Sequence, residues 1–215
     1  MGILDSGPLG PFRKKIGPGI GRRHMGQNLV LPLYHKSTTP ATEAQLLQRK
    51  KFGMLRSFLS PVRMLVNPGF KAFVKKNSPA NAAFSHNFDH AFVMNGDVPE
   101  INYPRIMFSR GQITTPNGLQ VSSAAGFITF SWLNEPQSRY CQSTDKASFV
   151  IYHPAKGTFR ILLDQVDRKA LHFETAVSSG HQGESVHCWI VFASANGRVR
   201  GDSKYGGIIQ IPGLI

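Results

Sequence analysis

The sequence predicts an α+β chain, with a basic N-terminal β-arm and short helices ahead of an all-β sandwich. Three observations lead there. Residues 7–36 alternate glycine and proline breaks with short apolar-basic pieces, as strands cut by turns do. Residues 37–110 repeat apolar side chains at helical intervals. After about Gly111 short alternating segments between turn residues take over, the pattern of a many-stranded β-domain. The expected organisation is a Gly/Pro-rich basic arm or small sheet over 1–36, a helical region with a closing strand over 37–110, and a β-sandwich over 111–215.

The arm divides into three candidate strands, Pro11–Ile16, Ile20–Met25 and Asn28–Tyr34, broken at Gly17-Pro18-Gly19 and Gly26-Gln27. Strands this short bury little by themselves, so the arm needs something to pack on. Its apolar residues, Pro11, Phe12, Ile16, Ile20, Leu29 and Leu31, are the expected docking contacts. A phosphate cradle is not expected. Gly17-Pro18-Gly19-Ile20-Gly21 has neither dinucleotide-binding nor P-loop spacing, and no Lys-Ser or Lys-Thr pair follows it.

The next stretch, "STTPATEAQLLQRKKFGMLRSFLSPV", predicts an amphipathic helix capped by Thr39, with Pro40 in its first turn and its end near Ser60. Leu47, Met54, Leu55 and Phe58 form the apolar side, and Arg49, Lys50, Lys51 and Arg56 fall mostly on other faces. A second helix is expected over Val62–Lys76, interrupted at Asn67-Pro68-Gly69. A third starts at Ser78-Pro79 and carries Phe84, Phe88 and Phe92 on one core-facing stripe. Asn95–Asn102 reads as turns and Tyr103–Phe108 as a strand.

Seven strands follow: Leu119–Ser123, Phe127–Leu133, Lys146–His153, Thr158–Leu163, Arg168–Glu174, Ser185–Ala193 and Lys204–Ile211. Strands at this close, regular spacing predict a sandwich. Ile128, Phe130 and Trp132 share one face by alternation and should be buried, with Phe149, Ile151 and Phe159 in the same role. Cys141 and Cys188 are the only cysteines, and Cys141 lies in a loop-like stretch badly placed for a bridge between sheets. The expected Ig/fibronectin III-like sandwich is therefore of the fibronectin kind, without that bridge.

Charge is uneven. Of the net +13, residues 1–110 carry 16 Lys/Arg against 5 Asp/Glu, and residues 111–215 carry 9 against 7. A basic first half suits a polyanion such as nucleic acid. Arg13, Lys14, Lys15, Arg22 and Arg23, with Arg49, Lys50, Lys51 and Arg56, are the expected phosphate contacts. The start has no cationic stretch followed by an apolar run, so no secretory signal is expected, and the longest apolar runs are too short to span a bilayer. A cytoplasmic or virion-type location is the expectation.

The order of these pieces resembles a bacterial family of unknown function, of the Bacteroidota type, made of basic proteins of about this length. The matching residues are Gly10-Pro11-Phe12, Lys15-Ile16-Gly17-Pro18, Gly21, "TPATEAQLLQRKKF" (39–52), "NPGFK" (67–71) and Asn81-Ala82-Ala83. Asp145-Lys146-Ala147, "YHPAK" (152–156) and Ser203-Lys204-Tyr205-Gly206 continue the match. The family has aromatics between Gly21 and Gly26, where this chain has Arg22-Arg23-His24-Met25 and is more basic. The resemblance implies architecture and no activity.

No catalytic constellation is legible. His86 and His90 stand four apart, but Asn87 replaces the glutamate of a zinc-protease motif and no third ligand is fixed nearby. His181, Gln182, Glu184 and His187 read as solvated loop residues. Asp164 and Asp167 sit in an expected turn with Arg168-Lys169 and make no acid/base pair. Arg200-Gly201-Asp202 reads as an ordinary turn. The expectation is a non-enzymatic structural or assembly protein that binds copies of itself, without metal or cofactor. The alternative is a protein that contacts the phosphate backbone of nucleic acid.

Overall fold

The computed structural model describes residues 3–4, 11–24, 26–35, 38–74, 77–124, 126–177 and 183–212. Met25, Lys75, Lys76, His181 and Gln182, each part of an expectation above, lie outside them. The described residues form mostly β-sheet, with three α-helices. Contacts divide the chain into two compact units, residues 1–43 and 44–215.

The first unit holds a four-stranded antiparallel meander of β1 (Ile3–Leu4), β2 (Phe12–Ile16), β3 (Gly19–His24) and β4 (Gln27–Pro32). Its turns fall where the glycines and prolines are, with Gly17 and Gly26 at φ 55° and 82°. Gly21 meets a different requirement. The Phe12 carbonyl and ring occupy the place where a Cβ at 21 would stand. Lys14, within β2, is in the left-handed region at φ 68°.

In the second unit α1 (Glu43–Leu59) begins three residues beyond Pro40, with Glu43 in its first turn and Arg56 in its last. Both charges complement the helix dipole. Helix α2 (Arg63–Gly69) stops after Pro68, and a 3-10 turn, Lys71–Phe73, follows. Helix α3 (Pro79–His90) starts where Ser78 Oγ accepts from the Asn81 N–H. Its buried face is Ala83 and Asn87, continued by Ala91, whereas Phe84, Phe88 and Phe92 are only half-buried. The expected phenylalanine stripe thus flanks the core, and Phe92 has already left the helix.

Two local expectations fail for reasons of backbone pairing. Asn95–Asn102 is a hairpin, with β5 (Phe92–Asn95) and β6 (Val98–Ile101) joined across Gly96 at φ 59°. The Asn95-Gly96 pair is a hairpin signal, and the strands are short and exposed enough to read as loop. Tyr103–Phe108 is no strand. It opens as a 3-10 turn, Tyr103–Arg105, and its later backbone groups are held by side chains. Asn87 Oδ1 accepts from the Met107 N–H at 2.8 Å, and its Nδ2 donates to the Met107 carbonyl at 2.8 Å. Ser203 Oγ takes the Phe108 N–H at 2.9 Å.

Seven strands then build two antiparallel sheets: β7 (Gln120–Ala124), β8 (Phe127–Ser131), β9 (Lys146–His153), β10 (Thr158–Asp167), β11 (His172–Ala176), β12 (Ser185–Ala193) and β13 (Lys204–Gln210). One sheet has the order β11-β8-β7 and the other β10-β9-β12-β13. The first, second and fifth strands pair against the rest, the arrangement of an Ig/fibronectin III-like sandwich. Between the sheets lie Ile128, Phe130 and Trp132, facing Ala147, Phe149 and Ile151 of β9 and Val186, Cys188, Ile190 and Phe192 of β12. Cys141 and Cys188 are buried and free.

The four-stranded sheet is covered on its other face as well. Val150 and Trp189 join Leu55, Phe58, Leu65, Phe70 and Phe108 in a second core supplied by the helices. Phe159 belongs on this side, 4.9 Å from Phe58, and not with Phe149 and Ile151 as alternation in isolation predicts. The expected turn at Asp164–Asp167 is also corrected. β10 runs through both residues with an irregularity after Leu162, and Arg168–Ala170 is a 3-10 turn ahead of β11.

Arg168 is buried. Its Nε donates to Asp145 at 3.3 Å, its Nη1 to Glu135 at 3.2 Å and its Nη2 to the Thr114 carbonyl at 2.6 Å. Its guanidinium lies 3.9 Å from the centre of the Phe192 ring. The pairing is complete enough to make this a fastening of the fold.

Candidate functional site

The residues expected to dock or to bind polyanions fall on both units. In the N-terminal sheet, register sets their faces. Ile20 pairs with Leu31, Arg22 with Leu29 and His24 with Gln27. These share one face, and Gly21, Arg23, Val30 and Asn28 occupy the other. Arg22 and Arg23, adjacent in sequence, therefore project from opposite faces. Lys15 stands opposite Ile20 and Lys14 opposite Gly21.

All five cations of this sheet, Arg13, Lys14, Lys15, Arg22 and Arg23, are exposed. Of the apolar candidates, Pro11, Phe12, Ile20 and Leu29 are half-buried, whereas Ile16 and Leu31 are exposed. Val30 and Tyr34, absent from the predicted docking set, are the most exposed large apolar side chains of the sheet region at 68% and 84%. Gly21 is its only buried residue among those described.

On α1, Arg49, Lys50 and Arg56 are exposed. Lys51 is half-buried with its ammonium 5.6 Å from the Phe92 ring centre, so part of its stem serves packing.

The second unit has a cavity of about 480 Å³ that sequence reasoning missed, lined in part by Ser57, Phe58, Glu100, Tyr103, Tyr152 and Phe159. Behind Tyr103 lies His187, whose ring stacks on it with centroids 3.9 Å apart and whose Nδ1 is 2.7 Å from the Tyr205 hydroxyl. His187 is a buried strand residue, which corrects its reading as a solvated one. Burial holds its pKa below the usual histidine value, so the imidazole is neutral at neutral pH. Burial, and then the neighbouring Tyr152, push the Tyr103 hydroxyl up to about 12. The cavity thus presents hydroxyls, aromatic faces and the Glu100 carboxylate. Glu184 is not a free loop carboxylate either, since Lys156 Nζ stands 3.4 Å away and His153 Nδ1 3.8 Å.

His86 and His90 share a helix face with rings 4.8 Å apart, but His86 Nε2 contacts Met107 Sδ at 3.1 Å and His90 Nδ1 lies 2.7 Å from the His86 carbonyl. Burial, and then Arg110, lower the His86 pKa. Among the described residues no group of three or more His, Cys, Asp or Glu is placed to hold a metal ion. No helix among them is long and apolar enough to cross a membrane.

The profile of DUF6266, a family of unknown function, matches residues 11–207. The chain belongs to that family. The match spans both units of this DUF6266 protein, so the N-terminal strands and the sandwich are parts of one family pattern. No curated protein matches the chain. Similar solved structures include the FN5 domain of Drosophila Lar, at 14% identity over 46% of this chain and 96% of that one, with a TM-score of 0.30. The fn3 domain of the human collagen alpha-1(XX) chain is 16% identical over 50% and 91%, with a TM-score of 0.32. The FN1-FN3 domains of chicken CNTN1 are 10% identical over 46% and 33%, with a TM-score of 0.31.

Proposed function

We propose that this is a non-enzymatic assembly protein. Its N-terminal sheet docks on neighbouring subunits, and its sandwich unit is the rigid module being assembled. One observation carries the reading: among its described residues the sheet leaves Ile16, Val30, Leu31 and Tyr34 exposed, with Val30 and Leu31 on opposite faces, and buries Gly21 alone. A sheet gains stability when its apolar side chains are covered, and neighbouring subunits would supply that cover on either face. β4 is an edge of its sheet, with main-chain groups available for strand addition. On this reading the protein works in the cytoplasm or in a virion-type assembly. Its origin is bacterial, of the Bacteroidota type that the sequence resemblance implies.

The test is light scattering on the eluting full chain, beside a Val30→Asp/Leu31→Asp variant. The full chain is expected as an oligomer or polymer and the variant as a monomer with an unchanged circular dichroism spectrum. A full chain that stays monomeric at every concentration overturns the proposal.

A second reading, contact with nucleic-acid backbone, is favoured by one specific feature. From Ser6 to Thr42 there is no Asp or Glu, against six Lys and Arg. The stretch is cationic throughout, and phosphates would be attracted to its exposed Lys14, Lys15, Arg22 and Arg23. Polarisation of a labelled oligonucleotide, titrated from low to high salt, is expected to show affinity that falls steeply with salt. Undetectable binding at low salt removes this reading.

A further inference from the structure

A cavity of about 920 Å³ opens on the second unit where three distant segments meet. They are the end of α2 with the turn after it (Pro68–Phe73), the segment Arg110–Gln112, and the connection from β12 to β13 (Asn196–Arg200). Among the described residues its lining includes Lys71, Arg110, Arg198 and Arg200, and no Asp or Glu. None of the four belongs to a cationic run in the sequence.

The walls are built, not incidental. The Arg110 N–H donates to the Gly69 carbonyl at 3.1 Å, and the Gly111 N–H to Asp202 Oδ1 at 2.8 Å. A Cβ at Gly111 would strike the Arg200 carbonyl, so glycine is what lets these two segments touch. The Arg198 turn is held from inside. Asn196 Oδ1 accepts from the Arg198 N–H at 3.0 Å, and Ser194 Oγ accepts from the Val199 N–H at 3.0 Å.

Two features point to the ligand. The first is the charge of the lining: Lys71 and Arg198 are exposed beside Arg110, and Arg200, 13% exposed, has its Nη1 3.9 Å from Asp164 Oδ1, outside the cleft. The second is Phe73, 40% exposed, with the Arg110 guanidinium 4.5 Å from its ring centre. An aromatic and a planar cation at the rim of a cationic cleft form a platform on which a flat heterocycle stacks. The volume also exceeds what a lone inorganic anion needs and falls in the range of small-molecule sites.

We propose that this cleft binds a nucleotide unit. Its phosphates sit between Lys71 and Arg198, and its base sits on the Phe73–Arg110 platform. The unit is either a free nucleotide or one residue of a single strand, and the chemistry of recognition is the same. The proposal does not rest on the assembly reading, because its residues all lie outside the N-terminal sheet.

The test is calorimetric titration of the full chain at low salt with ATP, pyrophosphate and an eight-residue oligothymidylate. ATP or the oligonucleotide is expected to bind. Lys71→Glu/Arg198→Glu, both exposed positions, should weaken that binding about tenfold or more. Arg105→Glu/Arg139→Glu, the same charge change at exposed sites elsewhere, should leave it within about twofold. Phe73→Ala should weaken ATP or oligonucleotide while leaving pyrophosphate unchanged. Binding of ATP that displaces the oligonucleotide assigns a free nucleotide, and oligonucleotide binding that ATP does not displace assigns a strand. No binding of any probe, equal losses in the two double variants, or equal affinity for polyglutamate would each overturn the proposal. Oligomeric state, read separately by light scattering, keeps a failure here distinct from a failure of the assembly reading.

Discussion

The protein contains two four-stranded antiparallel sheets of opposite character. In the sandwich sheet, β9 and β12 bury nearly every side chain, because the three-stranded sheet covers one face and the helices the other. In the N-terminal sheet β2, β3 and β4 pair just as regularly and bury a single glycine. Backbone pairing is equivalent in the two. What differs is layering, and most of the free energy of a β-fold comes from apolar area removed from water between layers. The comparison teaches that regular backbone pairing does not by itself bury side chains, and that in β9 and β12 the burial comes from layers on both faces.

Mutations should separate the two sheets sharply. Trp189 is fully buried, with the Phe108 ring centre 5.1 Å and the Tyr205 ring centre 5.2 Å away. Trp189→Ala is expected to cost about 3–5 kcal/mol in urea unfolding of the full chain. Val30→Ala, in the other sheet, should stay within about 0.5 kcal/mol when measured at a dilution where light scattering shows a monomer. A large loss at Val30 there would mean that the N-terminal sheet is covered without a neighbouring subunit. Arg168→Met should cost about 3 kcal/mol or more, because it leaves Asp145 and Glu135 without their buried cation. Thermal unfolding followed by circular dichroism measures it, and a cost below about 1 kcal/mol would show the network to be dispensable.

The next effect depends on pH. Burial holds His187 below its unfolded pKa of 6.5, so the unfolded chain binds the proton more readily. The stability that neutral His187 contributes is full above pH 6.5 and is lost as the pH falls below it. The urea midpoint should therefore drop between pH 7 and pH 5, and drop less in His187→Gln. Equal slopes for both proteins would assign the pH dependence elsewhere. The smallest global effect belongs to Gly21→Ala, where the new methyl meets the Phe12 carbonyl. It should speed limited proteolysis within residues 11–35 while the melting of residues 44–215 stays unchanged. Protection equal to that of the original chain would show that β2 can shift to accommodate it.

Much of the fold was legible because alternation and helical spacing are local signals. β9 and β12 fall on Lys146–His153 and Ser185–Ala193, the bounds their patterns predict. Ile128, Phe130 and Trp132 are buried together as period-two reasoning expects. Phe159 was misassigned because β10 lies in a sheet with two apolar faces, and alternation in one strand does not say which core a side chain joins. His187 was misread for a related reason. A polar residue at the start of a strand looks solvated until the Tyr103 ring is laid against it. Tyr103–Phe108 escaped because its backbone partners are the side chains of Asn87 and Ser203, the latter 95 residues away in sequence. The candidate site was legible only as charge. The cations of the arm and of α1 are visible as runs, and the register that sends Arg22 and Arg23 to opposite faces is not.

The sequence by itself determined the glycine turns of the N-terminal sheet, the strands β9 and β12, the regions of the three helices, and that the first half is basic. Each of these depends on neighbours within a few positions, through φ/ψ preference, side-chain period and local charge. Only the tertiary structure decided that β9 and β12 are covered on both faces, that Arg168 is enclosed by Asp145 and Glu135, and that Lys71, Arg110, Arg198 and Arg200 face one cleft. Those outcomes depend on which layers stack and which distant loops meet. Packing sets them once the whole chain has bought its core, and no local signal in the sequence carries them.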